Sequence, residues 1–258
     1  MILLTGATGN VGRELHALLP EARTLDRSSG ADLARPETLD LEGVDTVFLV
    51  WPFLTSEGAR TLMPKIAEHA QKVVYLSSSA VRFGADTDRI TRLHADLETA
   101  VQASGLEWTI LRADTFASNA LGWAGQLQAG DVVRGPDSAA TAVIDPADIA
   151  AVAATVLRDS RPGTTYTLTG PDVLSRSDQV RILGESLGRE LRFDATPFDD
   201  ARAQLLADGR PPALVEALIG SAQNRPASDL VTTTVQDVTG RPAGSFRAWA
   251  DRNLATFA

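Results

Sequence analysis

MILLTGATGNVGRELHALL, residues 1–19, frames the reading of everything after it. Its apolar start reads as a buried strand. Gly6, Gly9 and Gly12 follow at intervals of three, and then comes an amphipathic helix with Val11, Leu15, Leu18 and Leu19 on one side. Glycines in a strand-to-helix turn let the backbone approach a ligand closely. Free N–H groups and the positive end of the helix then face a pyrophosphate. Thr5, Thr8 and Asn10 add short polar side chains. The bland alternative is a turn that only joins strand to helix, and the context on both sides weighs against it.

Working outward, ARTLDR reads as a second strand, and DTVFLVW is a strong β-branched and aromatic strand stopped by Pro52. SEGARTLMPKIAEHAQ is helical, KVVYLSSS is an apolar run ending in hydroxyls, RLHADLETAVQASG is a helix, and EWTILRA is a strand. AATAVIDPADIAAVAATVL adds a short strand and an Ala/Val-rich helix capped by Asp145 or Asp148, and TTYTLTGP is a further strand. Strands alternating with helices predict an α/β fold with a doubly wound, mostly parallel sheet. From about residue 171 the texture turns helical, with prolines and turns between segments. Residues 1–170 are thus expected to form a nucleotide-binding domain, with a lid-like segment near 119–135 that contains Gly122, Gly125 and Gly130. Residues 171–258 are expected to form a small C-terminal substrate lobe over the carboxyl edge of the sheet.

Composition excludes several classes of function. The 258 residues carry 24 Lys and Arg against 33 Asp and Glu, a net charge of −9 that repels phosphate backbones, so no nucleic-acid partner is expected. With no cysteine, thiolate catalysis, disulfides and Cys-based metal sites are excluded. Three histidines on separate predicted helices give no metal-ligand spacing. MILL lacks the basic flank and the length of a leader core, and no run approaches the ~20 apolar residues that span a bilayer. The expectation is a cytoplasmic protein without a membrane partner, monomeric or homodimeric.

The choice of dinucleotide is contested by neighbours. Asp26, 20 residues past Gly6, suits the ribose hydroxyls of NAD, whereas Arg27 suits the 2′-phosphate of NADP. The reading favours NADP(H) and leaves NAD(H) open.

Taken together, these residues resemble the NmrA-like, atypical short-chain dehydrogenase/reductase family of the NAD(P)-binding Rossmann superfamily. TGATGNVGREL is similar to its phosphate-binding opening. ADLARPETLDLEGVDTVFLV is similar to its adenine-site segment and fourth strand, and HADLETAVQASGLEWTILRADTFASN to its helix, strand and Arg-x-x-x-Phe-x-x-Asn motif. The resemblance implies that Gly6, Thr8, Gly9, Asn10, Val11 and Gly12 cradle the pyrophosphate and that Arg27 faces the 2′-phosphate. It places Asp32 and Leu33 beside the adenine, Val50, Trp51 and Pro52 along the path to the nicotinamide, and Ser77 and Ser78 beside its ribose. Ala113 departs from the family, which commonly has proline there.

Typical members of the superfamily use a Tyr-x-x-x-Lys pair, whose tyrosine gives a proton to the substrate oxygen. Extended relatives carry an acid four residues beyond that lysine, so the resemblance, counted back from Glu98, puts His94 at the lysine position and Ile90 at the tyrosine position, and isoleucine gives up no proton. Tyr75 and Tyr166 fall on predicted strands and read as packing residues. His94 is the candidate catalytic residue, because imidazole titrates near neutrality; the alternative is a helix histidine bonded to a neighbour. Two functions stay open. One is an NAD(P)H-dependent reductase acting on a small, apolar or aromatic quinone, enone or imine. The other is a nucleotide-binding redox sensor without turnover. Ser77–Ser79 lack a Gly-x-Ser-x-Gly elbow, so a hydrolase is disfavoured. Trp51, Phe116 and Trp123 are candidates for an apolar pocket around a flat substrate.

Overall fold

The computed structural model describes residues 1–25, 30–159 and 161–257 and joins the apolar runs into one central sheet. Asp26 and Arg27 lie outside the described residues. In chain order the first elements are β1 (Ile2–Leu4), α1 (Asn10–Leu18), β2 (Arg23–Thr24), β3 (Thr46–Leu49), α2 (Ala59–Ala67), β4 (Lys72–Ser78), α3 (Arg89–Gln102) and β5 (Glu107–Ala113). Then come α4 (Ala124–Ala129), β6 (Val132–Pro136), β7 (Thr141–Ala142), α5 (Pro146–Arg158), β8 (Thr164–Leu168) and β9 (Val173–Leu174). The chain finishes with α6 (Arg176–Leu187), β10 (Arg192–Thr196), α7 (Phe198–Ala207), α8 (Pro212–Asn224), α9 (Thr234–Thr239) and α10 (Phe246–Asn253).

The sheet order is β2-β1-β3-β4-β5-β8, and every pair is parallel. The chain winds one way from β1 to β2 and the other way from β3 onward. The crevice at the carboxyl ends of β1 and β3 is therefore the switch point where doubly wound sheets take ligands. The expected α/β doubly wound fold is the observed one.

Alternation along the strands explains why they are apolar throughout. Leu4, Phe48, Val74, Leu76 and Leu111 pack with Val11 and Leu15 of α1 and Ile149, Val152 and Val156 of α5. Their neighbours Leu3, Val47, Leu49, Val73, Tyr75 and Ile110 pack on the other face with Leu62 and Ile66 of α2 and Leu97 and Val101 of α3. A parallel strand covered on both faces has no polar side to present. The ladder of β3 ends at Leu49, short of the expected Trp51, because the Val50 N–H donates to Thr5 Oγ1 at 2.7 Å instead of to a neighbouring strand.

Another hydrophobic cluster joins Trp123, Leu127 and Val133 to Val180 and Leu183 of α6 and to Phe246, Trp249 and Phe257. The glycine-rich stretch near residues 119–135 is thus packed through Trp123 and Leu127, and its β6 pairs in parallel with β10. α5 is capped by Asp145, whose Oδ1 accepts the Ala147 N–H at 2.9 Å and whose other oxygen pairs with Arg252. The capping role expected of this acid is the one it performs.

Candidate active site

At the switch point the chain leaves β1 through Thr5, whose buried hydroxyl lies 3.1 Å from Phe48 O and 3.2 Å from Val50 O. Gly6 turns with φ +65, and a Cβ there would sit 3.0 Å from Val50 Cβ. The Gly9 N–H donates to Gly6 O at 2.9 Å, closing the turn before α1 starts at Asn10. A Cβ on Gly12 would lie 2.1 Å from Gly6 O, so the helix meets the turn at a distance only glycine permits. No side chain caps this helix start, and its first turn holds no acid. Uncapped amides at the positive end of a nine-residue helix whose first turn holds no acid fit a diphosphate. The chain thus presents, around Gly6, Thr8, Gly9, Asn10, Val11 and Gly12, a cradle suited to a dinucleotide. The amide oxygen of Asn10 accepts from Arg13 at 3.2 Å, which orients it at the helix start.

Beyond β2, Asp32 Oδ1 accepts the Ala34 N–H at 2.9 Å, Arg35 Nε donates to its Oδ2 at 3.2 Å, and Leu33 is buried in the α2-side core. Past β3, Trp51 donates its Nε1–H to Thr55 O at 2.8 Å and packs edge-on against Phe53 at 5.1 Å. Val50 and Trp51 border a cavity of about 300 Å³ that is also lined by Ser77, Ser78, His94, Phe116 and Asn119. Pro52 follows directly in the chain and is not among the residues lining it.

The two serines have partners of their own. Ser77 Oγ donates to Glu98 Oε1 at 2.6 Å, and Ser78 Oγ accepts the Ala80 N–H at 3.2 Å. Glu98 is buried and also receives Arg112 through Nε at 2.9 Å and NH2 at 2.5 Å, so the motif arginine of β5 locks α3 onto the sheet. β5 runs in register to Ala113, opposite Ser78 and Leu168, so the residue standing in place of proline simply continues the strand.

His94 reaches the cavity from α3 while its Nδ1 lies 2.7 Å from Tyr75 Oη. Burial pulls the imidazole down to about 4, against the opposing charges of Glu98 and Asp88, so the ring is neutral near pH 7. This corrects the expectation that His94 titrates near neutrality: enclosure on α3 removes the water that would solvate imidazolium. Burial, and the charge of Glu98 after it, hold the Tyr75 phenol well above its usual value, and it stays protonated. A buried phenolic O–H needs an acceptor, and Nδ1 is the one at hand. The satisfied arrangement has Tyr75 donating to Nδ1, which leaves the proton of His94 on Nε2. Sequence reading treated Tyr75 as packing; it is buried packing and also the partner that sets the histidine tautomer. Ile90 lies one turn before His94 and walls a second cavity of about 270 Å³, which also meets Trp123, Arg176 and Gln179. The cavities adjoin, sharing Ser78, Thr115, Asn119 and Arg225. Buried Asp114, just past β5, accepts Arg225 NH2 at 2.7 Å and Ser228 Oγ at 2.8 Å, tying the chain after α8 over this end of the sheet. Sequence reading missed Asp114, Arg176 and Arg225.

Asp148 is buried under Arg241, 2.7 Å away, and accepts the Gly244 N–H at 2.7 Å, so it braces the C-terminal segment and takes no part in the cavity. Among the described residues no three His, Asp or Glu side chains are grouped to hold a metal. No described helix is long and apolar enough to cross a membrane.

No protein-family model matches the chain. It is 37% identical, over its whole length and 99% of the relative, to a (4-alkanoyl-5-oxo-2,5-dihydrofuran-3-yl)methyl phosphate reductase of Streptomyces griseus. It is 30% identical, again over its whole length and 99% of the relative, to an NAD(P)H azoreductase of Xenophilus azovorans. The chain belongs to the NAD(P)H-dependent reductases of the Rossmann superfamily. Its fold is shared by an Escherichia coli NADPH-dependent quinone oxidoreductase (TM-score 0.81, 20% identity, covering 98% of this chain and all of that one). It is also shared by a Citrobacter triphenylmethane reductase (TM-score 0.79, 18% identity, covering 98% and 99%). As a member of these reductases the protein is an NAD(P)H-dependent oxidoreductase.

Proposed function

We propose that this reductase is of the NmrA-like, atypical short-chain type. In this reading it delivers hydride to a small conjugated acceptor, an enone, quinone or imine-like group, without a Tyr–Lys pair. One observation carries the reading: the residue at the expected tyrosine position is Ile90, while the titratable ring in the cavity, His94, is held neutral by burial. A site of this kind cannot depend on strong acid catalysis, so it suits acceptors whose own conjugation spreads the incoming charge. The relative from S. griseus is by its name a reductase of a phosphate ester whose ring double bond is conjugated with carbonyls, and the other relative is by its name an azoreductase.

When bound, reduced nicotinamide would supply the hydride. Gly6, Thr8, Gly9, Asn10, Val11 and Gly12 hold the diphosphate on the start of α1. Asp32 and Leu33 border the adenine, with Asp26 and Arg27 reading the ribose. Val50, Trp51 and Pro52 guide the nicotinamide end, and Ser77 and Ser78 wall its ribose. His94 offers its Nε2–H as a neutral hydrogen-bond donor, either to a ribose hydroxyl or to the acceptor oxygen on which charge develops. Trp51 and Phe116 give the acceptor an apolar wall. The segment from 171 onward, with Trp123, closes the substrate side.

The reading is tested by incubating the protein with NADPH and a panel of butenolides, quinones, azo dyes and imines while following reduced-nicotinamide absorbance. Consumption that depends on acceptor supports it. Tight coenzyme binding with no consumption across the panel overturns it in favour of a sensor. NADPH is the preferred coenzyme in this reading through Arg27. Arg27→Ala should therefore weaken NADPH at least about tenfold more than NADH, or ~1.4 kcal/mol in selectivity, by titration of each.

A further inference from the structure

The second cavity holds a cation without a matching anion. Arg176, the first residue of α6, lines it and donates Nε–H to Ser138 Oγ at 2.9 Å. A guanidinium has five N–H donors in a planar fork. Among the described residues this is the one hydrogen bond made by that fork, and Arg176 forms no ion pair there. Asp137, which acts on it through space, is exposed to solvent. The other charges on the cavity rim cancel, because Arg225 is paired with buried Asp114. Enclosure also draws the pKa of Arg176 below its usual value, the mark of a cation partly stripped of water. Arg225 itself keeps a buried Nε with no partner. Ser138, Thr141, Ser221 and Asn119 complete a lining rich in hydroxyl and amide groups.

We propose that this cavity binds an oxyanion carried by the acceptor, a phosphate monoester or a carboxylate, with Arg176 as its fork-shaped anchor. The conjugated part of the same molecule would then lie in the adjoining cavity beside His94. A planar guanidinium meets two oxyanion oxygens at once, and in a half-enclosed site that pairing is strong and directional. The proposal rests on the reductase reading for the position of the reacting group, while the anion site itself stands on Arg176 and its surroundings.

The test compares a hydroxymethyl-butenolide with its phosphate ester and with a carboxymethyl analogue. The expected result is a kcat/KM for one or both anionic forms at least about tenfold above that of the alcohol. Arg176→Gln should collapse that preference, and Arg176→Lys should restore part of it. Which anionic form gains more decides between phosphate and carboxylate. A variant that slows charged and neutral acceptors by the same factor overturns the proposal. If no acceptor is reduced, the reductase reading fails separately, and calorimetry with phenyl phosphate on NADP⁺-loaded protein still decides the anion site. Binding weakened about tenfold by Arg176→Gln supports it, and no detectable uptake, or uptake indifferent to Arg176→Gln, overturns it. Ser138→Ala, which frees the fork without altering the charge, gives a milder loss if the anchor is real.

Discussion

His94 is placed between the buried core and a cavity. Buried Tyr75, 2.7 Å away, engages Nδ1, and His94 also lines the cavity. If Nε2–H steadies developing charge, His94→Leu should lower kcat by roughly 10–100-fold. Tyr75→Phe, which loses only the bond that fixes the tautomer, should cost about 3–10-fold, near the worth of one neutral hydrogen bond. Equal rates in steady-state assays would make the pair structural. The same ring writes a signature on stability. Folded His94 titrates at about 4 against an ordinary 6.5, so between those values the unfolded chain takes up a proton that the folded one refuses. The contribution of neutral His94 is whole above pH 6.5 and is lost as pH falls toward 4, by about 3 kcal/mol. Urea midpoints at neutral and acid pH should show a smaller acid loss for His94→Gln than for the parent chain.

Among the elements, the junction of β1 and α1 is the least forgiving. Gly12→Ala puts a methyl 2.1 Å from Gly6 O, so helix and turn must part and the amides lose their aim. Coenzyme affinity should fall at least about tenfold, or ~1.4 kcal/mol, in a titration, with a lower melting temperature in the same sample. This junction was readable from residues 1–19 because its chemistry is local: a strand, three spaced glycines and a helix adjoin in the chain. The parallel sheet was readable for the same reason, each β-run being followed by its helix. What was not readable is distant in sequence. Tyr75 and His94 are 19 residues apart on a strand and a helix, and Arg225 reaches Asp114 across 111 residues. Periodicity assigns such residues a face but names no partner. Glu98 lay in between: it served as a landmark for counting, while its bonds to Ser77 and Arg112 appear only once α3 lies against β4 and β5.

Across the whole molecule, hydrophobic clusters hold both faces of the sheet, and a further cluster around Trp123, Leu183 and Trp249 builds the part that the proposed function gives to the substrate. The seam between them crosses Asp114, which binds Arg225 and Ser228. Asp114→Asn removes the charge and leaves a mostly buried guanidinium unbalanced, at a cost of roughly 2–4 kcal/mol. Chemical denaturation should register that loss. Because the Asp114 carboxylate borders the cavity of the proposed function and also moors the chain after α8, an acceptor bound there would stiffen that chain. Thermolysin should therefore nick the stretch between residues 205 and 230 more slowly in protein saturated with coenzyme and acceptor than in empty protein. Asp114→Asn should erase that protection, turning a tethered canopy into a loose one.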